Sequence, residues 1–115
     1  MSSNRFALIA LVSTLLFGWS TLASAASICP LRHGNPLKFV DIFDGSPEEQ
    51  ATLVPDRNGA SSGYWDLAYV FEAGRTVGVR CKYRNGETRD GTIRRKVKRC
   101  DYRIDSAKNL FLDCR

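Results

Sequence analysis

The stretch YWDLAYVFEAGRTVGVRCKYRNGETRDGTIRRKVKRC, residues 64–100, decides the reading of this chain. Trp65, Leu67, Tyr69 and Phe71 recur at every second position, with Tyr64, Asp66, Ala68 and Val70 between them. That alternation is the period of a half-buried strand. Glu72, Ala73, Gly74 and Arg75 then read as a short turn into a second alternating strand, residues 76–83. Val77, Val79, Cys81 and Tyr83 form its inward set, while Arg80 and Lys82 face water. Two such strands joined by a Gly-containing turn predict an antiparallel hairpin. Asn85-Gly86 suits a type I′ turn, whose two central residues both need positive φ. It sets Arg84 opposite Glu87, a favourable cross-strand pair. Gly91 is expected to break or bulge the returning strand, so that Thr92 and Ile93 begin a separate pairing.

Further strands are expected on both sides of this stretch. Cys100, Tyr102 and Ile104 share one face of a strand, and Leu110, Leu112 and Cys114 share one face of another. Upstream, LKFVDIF at residues 37–43 reads as a first strand without clean alternation, covered on both faces or at an edge. Ser46-Pro47-Glu48-Glu49 carries the signature of a helix start. Ser46 is the cap, Pro47 the first helical residue and Glu49 the far side of a capping box. A short helix from Pro47 to about Leu53 is therefore expected, stopped by Pro55. The polar, Gly-rich residues 55–63 form a long loop, either a binding loop or a mobile connector. The expected fold is all-β to α+β. It is an antiparallel meander or sandwich of about five strands with one short helix, stapled by disulfides.

The chain opens MSSNRFALIALVSTLLFGWSTLASAAS. A lone cation at Arg5, an apolar core at residues 6–17 and the small residues Ala23-Ser24-Ala25 describe a secretory signal peptide over residues 1–25. The rival, a membrane anchor, is disfavoured because the apolar run is short for a span. Cleavage near Ala26 leaves 90 of the 115 residues, a single exported β-rich domain (residues 26–115), and losing Arg5 lowers the formal net charge from +5 to +4. All four cysteines, Cys29, Cys81, Cys100 and Cys114, lie in that domain. An even count in a small exported domain reads as two disulfides with three open connectivities. The alternation favours Cys81–Cys100 within the sheet and Cys29–Cys114 joining the ends, contributing roughly 3 and 4–5 kcal/mol by loop-closure entropy. A zinc site would need close ligand pairs, whereas the cysteines are widely spaced and His33 is the single histidine.

No catalytic residue, metal or cofactor is expected. With all thiols paired, no cysteine nucleophile remains. Asp41, Asp44, Glu48 and Glu49 allow a carboxylate pair arithmetically, but helix capping accounts for Ser46 and Glu49 without chemistry. The strongest charge feature is Arg94-Arg95-Lys96-Val97-Lys98-Arg99. Such a run meets nucleic acid, lipid headgroups or an acidic protein surface, or is a solvated turn. Export argues against nucleic acid. Trp65 falls in the inward set and so reads first as core, whereas Tyr64, on the outward face beside the polar loop, is a candidate interface anchor. The candidate partner-binding residues are thus Tyr64, Trp65, Arg94, Arg95, Lys96, Lys98 and Arg99.

Cys29-Pro30, then Phe43-Asp44-Gly45-Ser46-Pro47-Glu48-Glu49, Leu53-Val54-Pro55-Asp56, Trp65-Asp66-Leu67 and Cys81-Lys82-Tyr83 up to Cys100 follow the order FxDGxPxE…LxPD…W…CxY…C. The chain thereby resembles a family of small exported proteobacterial proteins found near type VI secretion loci. The resemblance implies a periplasmic β-rich domain and an immunity protein that blocks a toxin attacking the cell wall. It carries over no catalytic residue. The basic run departs from the more apolar, Pro-containing stretch of the family. The leading expectation is a periplasmic inhibitor of a secreted protein toxin or effector, not an enzyme, with no stable membrane insertion. The alternative is an envelope accessory protein that binds anionic polymers or lipid headgroups through the basic run.

Overall fold

A computed structural model describes residues 28–115. The expected signal peptide and its cleavage point lie outside the described residues. Two four-stranded sheets share one hydrophobic core. The first has the order β2-β1-β5-β6, from β1 (Leu37–Asp44), β2 (Thr52–Leu53), β5 (Val77–Tyr83) and β6 (Thr88–Ile93). The second has the order β3-β4-β7-β8, from β3 (Arg57–Asn58), β4 (Ser62–Asp66), β7 (Arg99–Ile104) and β8 (Leu110–Cys114). The chain builds them as successive antiparallel pairs that alternate between the sheets: β1–β2, β3–β4, β5–β6, β7–β8. β1 then joins β5, and β4 joins β7, also antiparallel. The all-β, disulfide-stapled class expected from the sequence is the class observed, with eight strands instead of about five.

The inward faces follow the alternation. Val40 and Ile42 of β1 and Val77, Val79 and Cys81 of β5 are at most 1% exposed. Trp65, Cys100, Tyr102 and Leu110 meet them from the second sheet. Each large apolar side chain so buried stabilises the fold by about 1.5–3 kcal/mol. β1 is an interior strand between β2 and β5, which explains its weak alternation: Phe43, on its outer side, is also buried.

Residues 64–71 depart from the expected single strand. β4 ends at Asp66, and Ala68–Glu72 form the short helix α1. Leu67, Val70 and Phe71 have the three–four spacing of a helix face as well as part of the two-residue period. The helix wins because it buries Leu67 and Val70, packs Phe71 on the core, and turns Tyr69 out to 54% exposure. Gly74, at φ 73°, closes α1 in a Schellman turn, with Arg75 N donating to Val70 O and Gly74 N to Phe71 O. β4 and β5 therefore lie in different sheets and form no hairpin.

Four smaller expectations are also corrected. Gly86 has φ 90° but Asn85 keeps negative φ, and Gly86 N donates to Tyr83 O while Tyr83 N donates to Glu87 O. That is a type I turn closed by a glycine bulge, not type I′. Arg84 bonds Ala107 O and Asn109 instead of facing Glu87, which pairs with Arg32. Gly91 stays in register opposite Val79, so β6 is unbroken. Ser46 makes no side-chain cap bond, and Pro47–Glu49 form one 3₁₀ turn before Thr52–Leu53 extend as β2, so no helix reaches Leu53.

The disulfides are Cys29–Cys81 and Cys100–Cys114, with Cα separations of 5.6 and 4.0 Å. The expected Cys81–Cys100 and Cys29–Cys114 links are replaced, because each of these cysteines is bonded to a different partner. Cys100 and Cys114 are direct partners across β7–β8, and Cys29 ties the incoming segment to β5. No helix among the described residues is long and apolar enough to cross a membrane.

Candidate functional site

Ion pairs occupy much of the outer face of the first sheet. Asp41 pairs with Lys82 at 2.7 Å and Asp90 with Arg80 at 2.8 Å. Hydrogen bonding from Arg80 lowers the Asp90 pKa below its ordinary value, despite a small opposing burial effect. Asp44 and Glu49 both meet Arg75 where β1 leads into the 3₁₀ turn. The carboxylates considered for chemistry, Asp41, Asp44 and Glu49, are thus engaged by cations; Glu48 lies in the exposed turn. His33 is exposed in the irregular segment before β1. Among the described residues no group of three His, Cys, Asp or Glu side chains is placed to hold a metal.

The second sheet presents a different outer surface. Inward placement of Trp65, Cys100 and Tyr102 turns Tyr64 and Asp66 of β4, and Arg99, Asp101 and Arg103 of β7, outward. Register sets Tyr64 beside Asp101, Asp66 beside Arg99, and Arg103 beside Phe111 of β8. The Arg99 guanidinium lies 3.8 Å from the Tyr64 ring centroid, and its Nε donates to Asp66 Oδ1 at 3.0 Å. That hydrogen bond, reinforced by the carboxylate charge, raises the Arg99 pKa above its ordinary value, so the cation persists at any physiological pH. Arg103 stacks on Phe111 at 4.8 Å. Tyrosine, phenylalanine and arginine held rigid on a sheet are the side chains that anchor protein interfaces.

The basic run is the β6–β7 connection. Val97, 3% exposed, plugs it into the core. Leu67 N donates to Lys98 O at 2.8 Å, and Lys98 N and Arg99 N both donate to Arg115 O. The backbone is therefore pinned, while Arg94, Arg95, Lys96 and Lys98 are exposed. Arg95 reaches Cys114 O at 3.4 Å; Arg94, Lys96 and Lys98 have no ion-pair partner among the described residues. A shallow depression of about 420 Å³ lined by Asp66, Lys98, Arg99 and Arg115 joins this connection to the outer sheet face.

Of the seven candidate contact residues, Tyr64 and Arg99 stack on the outer face of the second sheet and Lys98 lines the depression beside Arg99, while Arg94, Arg95 and Lys96 are exposed farther along the same connection. Trp65 belongs to the core. It is 2% exposed, it stacks at 5.4 Å on Tyr102, and its indole N–H donates to Leu53 O. Sequence reasoning missed Arg103, Phe111 and Arg115 near this surface. The signal for Arg103 and Phe111 was the outward half of the alternation in residues 99–104 and 110–114, read only for its inward half; Arg115, after β8, had no such signal.

The fold is a small disulfide-stapled pair of sheets whose second sheet presents aromatic and arginine side chains beside a strand connection with several cations that have no ion-pair partner among the described residues. The sequence model of the type VI secretion system Tli immunity protein family matches residues 31–115, and the chain belongs to that family. Membership implies a protein effector as its partner. No curated protein and no solved structure matches the chain.

Proposed function

We propose that the chain is a periplasmic, non-enzymatic immunity protein that neutralises a cell-wall-targeting type VI effector by covering its active site. The observation that carries this reading is the cation-rich β6–β7 connection. Arg94, Lys96 and Lys98 are exposed there with no ion-pair partner among the described residues, and the connection leads directly into Arg99, which is held by Tyr64 and Asp66. Cations left free along a pinned backbone suit an acidic cleft, and they accelerate encounter with it. Two disulfides suit an oxidising compartment, and family membership supplies the effector.

The test is co-expression of the exported protein with the effector encoded beside its gene, directed to the periplasm. Rescue from lysis with release of wall fragments supports the whole reading. Rescue from an effector that attacks lipid instead keeps the immunity role and overturns the wall target. If the protein rescues nothing but binds anionic vesicles or wall polymers, with affinity falling steeply with salt, the basic connection serves the envelope itself.

A further inference from the structure

A second feature lies outside the candidate contact set, along β8, an edge strand of the second sheet. The segment before β1 folds against that edge and leaves a cleft of about 220 Å³, lined by Leu31, Arg32, Asn35, Tyr83, Leu110 and Phe111 among others. That is below the roughly 300–1,000 Å³ of small-molecule sites and suits one large side chain. Its lining includes two of the five large hydrophobic side chains exposed among the described residues, Leu31 at 95% and Phe111 at 47%. It also includes two buried N–H donors without a hydrogen-bond partner, Arg32 Nε and Asn35 Nδ2.

The contacts each side chain makes leave these donors over. The Arg32 guanidinium reaches Glu87 through Nη2 at 3.5 Å, which leaves Nε over. Asn35 Oδ1 accepts from Asn85 N at 3.1 Å, which fixes the amide and leaves Nδ2 over. Buried donors are nearly always paired in folded proteins, so two at one cleft call for an acceptor that arrives with a partner. A carboxylate brings two acceptor oxygens and no donor. Its charge also suits Arg32 and the Arg103 stacked on Phe111.

We infer that this cleft receives an effector loop presenting one large apolar side chain next to a carboxylate. The apolar group enters between Leu31 and Phe111, and the carboxylate accepts from Arg32 and Asn35. Because Phe111 also belongs to the outer face of the second sheet, the cleft extends the surface proposed above and rests on that immunity reading.

The test uses the oxidised mature protein and the effector encoded beside its gene, with association and dissociation rates measured by surface plasmon resonance. Leu31→Ser changes a side chain almost wholly in solvent, and Asn35→Asp keeps the acceptor used by Asn85 while setting a negative charge where the carboxylate would sit. Each is expected to weaken binding by about tenfold or more, chiefly through faster dissociation. Phe111→Ser should do the same. Lys96→Glu should act mainly on association. If wild type binds and both Leu31→Ser and Asn35→Asp bind within tenfold of it, the cleft proposal is wrong while the immunity reading stands. If wild type binds no such effector, the immunity reading falls and the cleft proposal falls with it.

Discussion

Removing the Cys29–Cys81 bridge should cost more stability than removing Cys100–Cys114, although the latter joins two directly paired strands. The reason is loop length. The bridges span sequence separations of 52 and 14 residues, and loop-closure entropy then gives roughly 4 and 3 kcal/mol. Cys81 and Cys100 are 1% and 0% exposed, so alanine at either adds about 1 kcal/mol for the lost sulfur. A domain of this size has about 5–13 kcal/mol in all. Cys29→Ala with Cys81→Ala should therefore lower the melting temperature by about 15–30 °C. Thermal unfolding by circular dichroism reads this directly, and thiol labelling of single variants checks the pairing. Labelled after denaturation without reduction, Cys29→Ala should show one free thiol, at Cys81, with Cys100–Cys114 intact. A free Cys114 in that variant would refute the pairing. A double variant melting within about 5 °C of wild type would refute the loop argument. The functional corollary is that an immunity protein confined to a reducing compartment should protect poorly.

Trp65→Phe should destabilise the fold by about 1–3 kcal/mol, because it leaves Leu53 O without its indole donor. Effector affinity of the folded fraction, measured by calorimetry, should be unchanged; a large loss would return Trp65 to the contact surface. Reversing Arg94 and Lys96 to Glu should slow effector association by about tenfold at low salt, with dissociation nearly constant. Stopped-flow rates at two ionic strengths check this, and a salt-independent loss would contradict steering. Asp90 has a folded pKa depressed by Arg80, so its contribution is present above its ordinary pKa near 3.9 and lost as pH falls through the lower folded value. Asp90→Asn should therefore flatten the acid side of the stability curve below about pH 4 and narrow the gap to wild type there. Urea midpoints at pH 6 and pH 3 measure it; an unchanged acid slope would show that the pair contributes nothing.

Much of the sheet content was legible because period two is a strong signal where one face is buried. Residues 77–83, 100–104 and 110–114 are extended, close to the bounds read, with Val77, Val79, Cys81, Tyr83, Cys100, Tyr102 and Leu110 buried. The α1 segment was not, because Leu67, Val70 and Phe71 satisfy a helix face while Leu67, Tyr69 and Phe71 satisfy a strand face. Only packing against the core separates the two. The disulfides were misassigned for a related reason: inward orientation says that a cysteine faces the core but not which sheet carries it. The register of β7–β8 held the missing information. Ile104 opposite Leu110 requires Cys100 opposite Cys114, by counting back along β7 and forward along β8.

The same alternation explains why the binding side was half legible. A basic run is conspicuous in a sequence, so Arg94 to Arg99 drew the eye, but a run does not reveal what lies beside it. The pairing of β4 with β7 does that, bringing Asp66 and Tyr64 to Arg99 over a sequence separation of more than thirty residues. Arg99 is held on both sides, by a ring and a carboxylate, whereas Lys96 and Lys98 are exposed with no ion-pair partner among the described residues. On the proposed binding mode, Arg99 would meet an effector with little rotamer freedom left to lose, and steering and anchoring would be divided between neighbouring residues. Arg99→Lys should keep the charge that speeds encounter but lose the stack and the directed hydrogen bond. It should raise the dissociation rate severalfold and leave association near wild type, the opposite kinetic signature to Lys96→Glu. If the two variants proved kinetically alike, the division would be wrong, and the run would act as an undifferentiated positive patch.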